Sequence, residues 1–243
     1  GILKEGRSCV IGRQTQEAEN VLENTAQKIS SPLYRLGKEW HWEMENNKAK
    51  YESATRSMHF MPALAGLHQF DNAATAIACL DQLPQFTFSN EQIEVGLMQT
   101  KWPARLQKLE HAKLSNILPA GIELWLDGGH NPQGGEMLAE WLSGQQKPAY
   151  LICGLMGTKD AGGYLTPLTS CIAELVAVPI PGEVQSQKPE QIWKSAIELG
   201  IAVTAATSVE NALQTLASRA KTPSIICICG SLSLAGKVLA SLE

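Results

Sequence analysis

The sequence holds no Gly-x-x-x-x-Gly-Lys-Ser/Thr phosphate loop, no Gly-x-Gly-x-x-Gly fingerprint and no Gly-x-Ser-x-Gly elbow. These absences exclude a self-sufficient phosphate-loop NTPase, a standard dehydrogenase and an α/β-hydrolase. An excess of positive charge is missing too. With 20 Lys and Arg against 24 Asp and Glu, the net charge of -4 offers no broad grip on nucleic acid or anionic lipid, so neither partner is expected. The six cysteines form no Cys-x-x-Cys pair and have no His at ligand spacing, so no metal site is expected in the chain. They read as buried thiols of a protein in a reducing cytoplasm. No run is long and apolar enough to span a bilayer: residues 224–242 come nearest, but Gly230, Gly236 and Lys237 interrupt them, and a buried strand followed by a helix is the expectation. The chain opens on Gly1 without a Met or a targeting pattern, as expected of a portion of a longer protein.

What is present is ordinary globular material, 44% hydrophobic and 18% charged over 243 residues. A strand is expected at 9–12 and a helix at 15–29, where apolar residues recur at Ala18, Val21, Leu22 and Ile29. Alternating segments at 33–37, 41–45 and 51–56 predict a small antiparallel meander. Helices are expected at 67–80 and from Ser89, with Glu91 and Gln92 in the first turn of the latter. Beyond Trp102-Pro103 apolar strands alternate with helices. Strands at 123–126, 149–153, 174–178, 201–204 and 224–229 alternate with helices at 132–142, 163–171, 189–199, 208–220 and 232–242. That alternation predicts a parallel sheet covered on both faces. The boundary is placed between 106 and 119, giving units of residues 1–110 and 111–243.

Three places have the composition of a site. Leu126-Asp127-Gly128-Gly129-His130-Asn131-Pro132 falls where a strand ends and a helix begins, the usual ligand position in doubly wound sheets. There Asp127 has the chemistry to accept ribose hydroxyls, and His130 and Asn131 to meet base, phosphate or substrate. The plainer reading makes Asp127 and Asn131 helix caps. In Lys101-Trp102-Pro103-Ala104-Arg105-Leu106-Gln107 the planar fork of Arg105 suits phosphate or carboxylate, although a surface arginine packed on Trp102 is the common alternative. Asn72, at the start of an Ala-rich helix, carries the donor and acceptor that read an adenine edge, and His68 nearby suits a structural role as well as a ligand contact. Lys159 and Asp160 lie in a further loop with the same two readings.

Taken in order, Gly-Leu-His-Gln-x-x-Asn-Ala-Ala-x-Ala, Trp-Pro-x-Arg-Leu-Gln, Leu-Asp-Gly-x-His-Asn-Pro, Gly-x-x-x-x-Lys-Asp and Gly-Ser-Leu-x-Leu-Ala-Gly resemble the folylpolyglutamate/dihydrofolate synthases of the Mur ligase superfamily. The resemblance implies a C-terminal Rossmann-like α/β domain, preceded by the incomplete remainder of a central P-loop-type α/β domain. It implies ATP as cofactor, with the Mg2+ ligands and the phosphate loop outside these residues. Asn72, Arg105 and Asp127 are then contacts of ATP, Arg105 and His130 take part in catalysis, and His130 and Ser231 lie on the glutamate side. The implied activity is ATP-dependent addition of L-glutamate to folate or dihydropteroate through an acyl phosphate, by a monomer. The chain alone is expected to be inactive. Ala104 stands where the family usually has Gly, Gly129 where it usually has Ala, and Ser233 where an aromatic is common; the first two departures are expected to matter little. Rival readings are a non-catalytic nucleotide- or metabolite-binding module and a purely structural interaction domain.

Overall fold

A computed structural model describes residues 2–46, 48–110 and 117–242. The chain divides into two compact units, Gly1–Lys101 and Trp102–Glu243. The division falls earlier than the expected 110/111 because residues 107 and 108 form a strand of the second unit's sheet.

In the first unit the aromatic residues Trp40, Trp42, Tyr51 and Phe60 favour a three-stranded antiparallel sheet. It runs in sequence order through β3 (Trp40–Glu45), β4 (Lys48–Ser53) and β5 (Ser57–Phe60). Two expectations are corrected. The segment expected as the first meander strand is β2 (Leu33–Arg35), which pairs in parallel with β1 (Cys9–Ile11) across the helix α1 (Gln16–Lys28). The third meander strand lies at 57–60, beyond the stretch expected to form it. The helix α2 (His68–Asp81) buries Ala73, Ala74, Ile77 and Ala78 against Trp40, Tyr51, Met58 and Phe60. The helix α3 (Asn90–Gln99) begins at a capping box. Ser89 accepts from the Gln92 amide and Gln92 accepts from the Ser89 amide, satisfying two otherwise orphaned N–H groups.

The far end of α2 is tied to the meander by one carboxylate. Asp81 accepts from Arg56 Nε at 2.7 Å, Ser53 Oγ at 2.9 Å and Tyr51 Oη at 3.0 Å, and its side chain is 2% exposed. Removing one member of such a pair leaves the other buried without compensation. Asp81→Ala is therefore expected to destabilise this unit by about 3 kcal/mol. Amide hydrogen exchange should show the loss as faster exchange in α2 and β4 with the second unit unchanged.

The second unit is built on a six-stranded sheet, in the order β10-β9-β8-β11-β7-β6. Its strands are β6 (Gln107–Lys108), β7 (Ile122–Leu126), β8 (Ala149–Cys153), β9 (Glu174–Ala177), β10 (Val203–Ala205) and β11 (Ser224–Cys229). Five run parallel, and the short β6 adds an antiparallel edge that sequence periodicity did not reveal. The intervening helices are α4 (Pro132–Ser143), α5 (Ala161–Leu165), α6 (Pro189–Glu198), α7 (Val209–Arg219) and α8 (Leu232–Leu242). The helix expected at 163–171 is instead the short α5 followed by a single 3-10 turn, Thr166–Leu168. Pro167 accounts for this, since it lacks the N–H that a continuing helix needs.

Alternation along the strands fixes which helix lies where. Leu124, Leu126, Ile152, Val176, Ile226 and Ile228 share a core with Leu213 and Leu216 of α7 and Leu234 and Val238 of α8. The alternate residues point to the opposite face. On that face Trp125 meets Trp141 of α4 with ring centroids 4.5 Å apart. Strand β11 therefore sends α8 to one face while its neighbour β7 sends α4 to the other, a topological switch point whose crevice opens at the carboxyl ends of the strands. Among the described residues no helix is long and apolar enough to cross a membrane. All six cysteines are free; Cys153, Cys227 and Cys229 are buried as expected, Cys9 and Cys171 are half-buried, and Cys79 lies exposed on α2.

Candidate functional site

At that crevice three backbone segments meet. The amide of Asp127 donates to Ile228 O at 2.9 Å, Gly128 N donates to Ala104 O at 2.8 Å, and Gly230 N donates to Gly129 O at 3.1 Å. The segment 104–106, the loop after β7 and the loop after β11 are thus one hydrogen-bonded unit. Glycines permit the approach: a Cβ on Gly128 would stand 2.3 Å from Leu232 Cδ2 and 3.0 Å from Arg105 Nη1.

Arg105, Asp127, His130 and Ser231 all belong to this unit, whereas Asn72 sits near the start of α2 in the other one. The Arg105 side chain is half-buried. Its one hydrogen bond among the described residues is a long one, Nη1 to Ala104 O at 3.4 Å, and no described carboxylate lies within ion-pairing distance. A guanidinium with most of its donors unused is ready to take an oxyanion.

His130 is half-buried and its Nδ1 lies 3.0 Å from Gly128 O. A carbonyl only accepts, so Nδ1 carries the hydrogen, and in the neutral form of the ring the lone pair lies on Nε2. That nitrogen can receive a proton. Asn131 caps α4, its Oδ1 accepting from Gly134 N at 2.8 Å, with Pro132 in the first turn. The capping reading thus describes Asn131. Asp160 does the same for α5, and the backbone carbonyl of Lys159 is held by Gln187 Nε2 at 2.6 Å. Ser231 is 3% exposed and its Oγ accepts from Ser233 N at 3.0 Å at the start of α8. In the other unit the exposed Asn72 donates to Gln69 Oε1 at 3.2 Å.

Asp127 does not cap a helix. One carboxylate oxygen accepts from Gly129 N at 2.7 Å and the other from Leu106 N at 3.0 Å, and the residue is 9% exposed. Burial pushes its carboxyl up from the usual range, against the opposing pull of those two amides and of the Arg105 charge. Both oxygens thus hold the protein's own chain, a use that sequence reasoning missed because Leu106 is 21 residues away. Gln107 was also overlooked. Its Oε1 accepts from Ala104 N at 3.0 Å, closing the turn on which Arg105 sits. Among the described residues no group of three or more His, Cys, Asp and Glu side chains is placed to hold a metal ion.

A mainly parallel sheet with a topological switch point and glycine-lined loops at its carboxyl end defines a Rossmann-like domain. Residues 107–241 match the family model described as dihydrofolate synthetase, C-terminal domain, and the chain belongs to the folylpolyglutamate/dihydrofolate synthase family. It is 24% identical to the dihydrofolate synthase/folylpolyglutamate synthase of Haemophilus influenzae, over 100% of this chain and 57% of that protein. It is 26% identical to the folylpolyglutamate synthase of Lacticaseibacillus casei over 75% of this chain and 43% of the relative. The fold matches that of E. coli FolC in complex with DHPP and ADP, with a TM-score of 0.84 at 22% identity over 99% of this chain and 54% of the other. It also matches the Yersinia pestis bifunctional enzyme complexed with AMPPNP and Mn, at a TM-score of 0.81, 24% identity and the same coverage. The chain therefore spans about half the length of these relatives.

Proposed function

We propose that this chain is the C-terminal part of an ATP-dependent ligase that joins L-glutamate to folate or dihydropteroate through an acyl phosphate. The observation that carries the reading is the Arg105 guanidinium, half-buried without a carboxylate partner among the described residues and set, like His130, against Gly128. Transfer of a phosphoryl group to a carboxylate builds and redistributes negative charge, and a fixed fork of donors stabilises that charge without reorganising. In the second step the glutamate amine attacks the acyl carbon, the amide C–N bond forms and phosphate leaves. The proton lost by nitrogen needs an acceptor, and the Nε2 lone pair of His130 supplies one.

Asn72 takes the adenine edge and Ser231 the glutamate side in this scheme, on the strength of the family resemblance. The nucleotide brings the phosphoryl group, and Mg2+, with ligands outside this chain, neutralises its charge. Located in the cytoplasm and working as a monomer, the complete enzyme would meet all three small substrates in solution. The test is mass-spectrometric detection of the glutamylated product with one ADP formed per amide. The complete enzyme should give that stoichiometry while residues 1–243 alone release no ADP in response to glutamate and folate. ADP release by the isolated chain would contradict the division of labour.

A further inference from the structure

The turn that carries Arg105 has an unusual backbone. Ala104 has φ +58° and Leu106 has φ +43°, so both neighbours of the arginine occupy the left-handed region although neither is glycine. A Cβ makes that region unfavourable, and such conformations persist only where the surroundings over-determine them. Here the surroundings are explicit. Gln107 Oε1 takes the Ala104 N–H, the Gly128 N–H takes the Ala104 carbonyl, and Asp127 Oδ2 takes the Leu106 N–H. Gln107 itself is pinned by its pairing with Leu126 across the β6–β7 edge. Ala104 and Leu106 are each 4% exposed, while Arg105 between them remains half-exposed over Gly128.

We propose that Asp127 and Gln107 are positioning residues that hold this strained turn and so aim the Arg105 guanidinium, with Asp127 accepting from the backbone through both carboxylate oxygens. The proposal rests on the reading of Arg105 as the phosphate-contacting group. It also changes the weight of two departures from the family pattern. Ala104, where the family usually has Gly, occupies a conformation that glycine adopts freely, so the substitution makes the clamp more necessary. Gly129, where the family usually has Ala, leaves Asp127 its room, since a Cβ there would lie 2.7 Å from Asp127 Oδ1.

The test is steady-state kinetics on the complete ligase with ATP varied at saturating folate and glutamate, for Arg105→Ala, Gln107→Met, Asp127→Asn and the double variant Gln107→Met/Arg105→Ala. Asparagine offers one acceptor where aspartate offers two, so one of the two amides loses its partner. Gln107→Met should lower kcat about tenfold with the KM for ATP nearly unchanged, and Asp127→Asn should lower kcat by about the same factor whatever it does to that KM. Gln107→Met should add nothing once Arg105 is absent, because it acts through Arg105. Ala104→Gly should restore most of the kcat lost in Gln107→Met, a rescue that a merely structural loss would not show. Protected β7 and β11 amides in residues 1–243 verify that each variant is folded. Should Asp127→Asn raise the ATP KM and leave kcat alone, the positioning role is wrong while the reading of Arg105 stands. No loss of kcat in Arg105→Ala overturns both.

Discussion

Arg105→Ala in the complete ligase is expected to lower kcat by roughly 30- to 1000-fold, corresponding to about 2 to 4 kcal/mol of transition-state stabilisation, while weakening ATP binding much less. Among the described residues the half-buried guanidinium makes a single long hydrogen bond, which leaves most of its donors for a ligand. In the ground state such a group meets phosphate oxygens whose charge is already neutralised in part by other cations. As the phosphoryl group moves, the charge redistributes, and the interaction that grows with it is the part that appears in kcat. Arg105→Lys should recover little, because an ammonium on a flexible stem does not reproduce a planar fork. Turnover within about threefold of the parent in Arg105→Ala would remove this residue from the mechanism.

Gly230→Ala is expected to destabilise the second unit by about 3 to 5 kcal/mol. Gly230 has φ +99°, and a Cβ there would stand 2.7 Å from Gly154 O and 2.9 Å from Cys153 Sγ. The first collision is with backbone that Gly154 N anchors to Cys229 O at 3.1 Å, so it has no side chain free to swing away. Backbone strain and overpacking therefore add at one position. Urea denaturation followed by the near-ultraviolet signal of Trp125 and Trp141 should show an earlier midpoint with little change in slope. An unchanged midpoint would mean that the β8 and β11 loops are free to part.

The two predictions depend on features that the sequence disclosed unequally. The strands at 149–153 and 224–229 are apolar runs bounded by turn residues, and they were legible to the residue. Ser89 followed by Gln92 announced the start of α3 by local chemistry alone. Strand β6 was invisible because two residues, Gln107 and Lys108, carry no periodicity; only their pairing with Leu126 and Trp125 makes them a strand. Strand β2 was expected as a strand, but its parallel pairing was not legible, because its partner β1 lies across a helix. Of the candidate residues singled out in the second unit, Arg105, Asp127, His130 and Ser231 lie on loops that gather at one end of the sheet. What each touches was not legible. The left-handed backbone at Ala104 and Leu106 and the Asp127–Leu106 bond are tertiary consequences, and no local propensity points to them.

The most direct measurement of the ligase reading follows an oxygen atom. If the complete enzyme phosphorylates the carboxylate that becomes the amide, one carboxylate oxygen leaves with the phosphate when the glutamate amine attacks. With dihydropteroate or folate carrying 18O in that carboxylate, the account predicts one 18O in the inorganic phosphate for each amide formed, seen by mass spectrometry or by the 31P isotope shift. Amide formation without 18O in the phosphate would contradict the acyl phosphate, and ATP turnover without any glutamate addition would contradict the ligase.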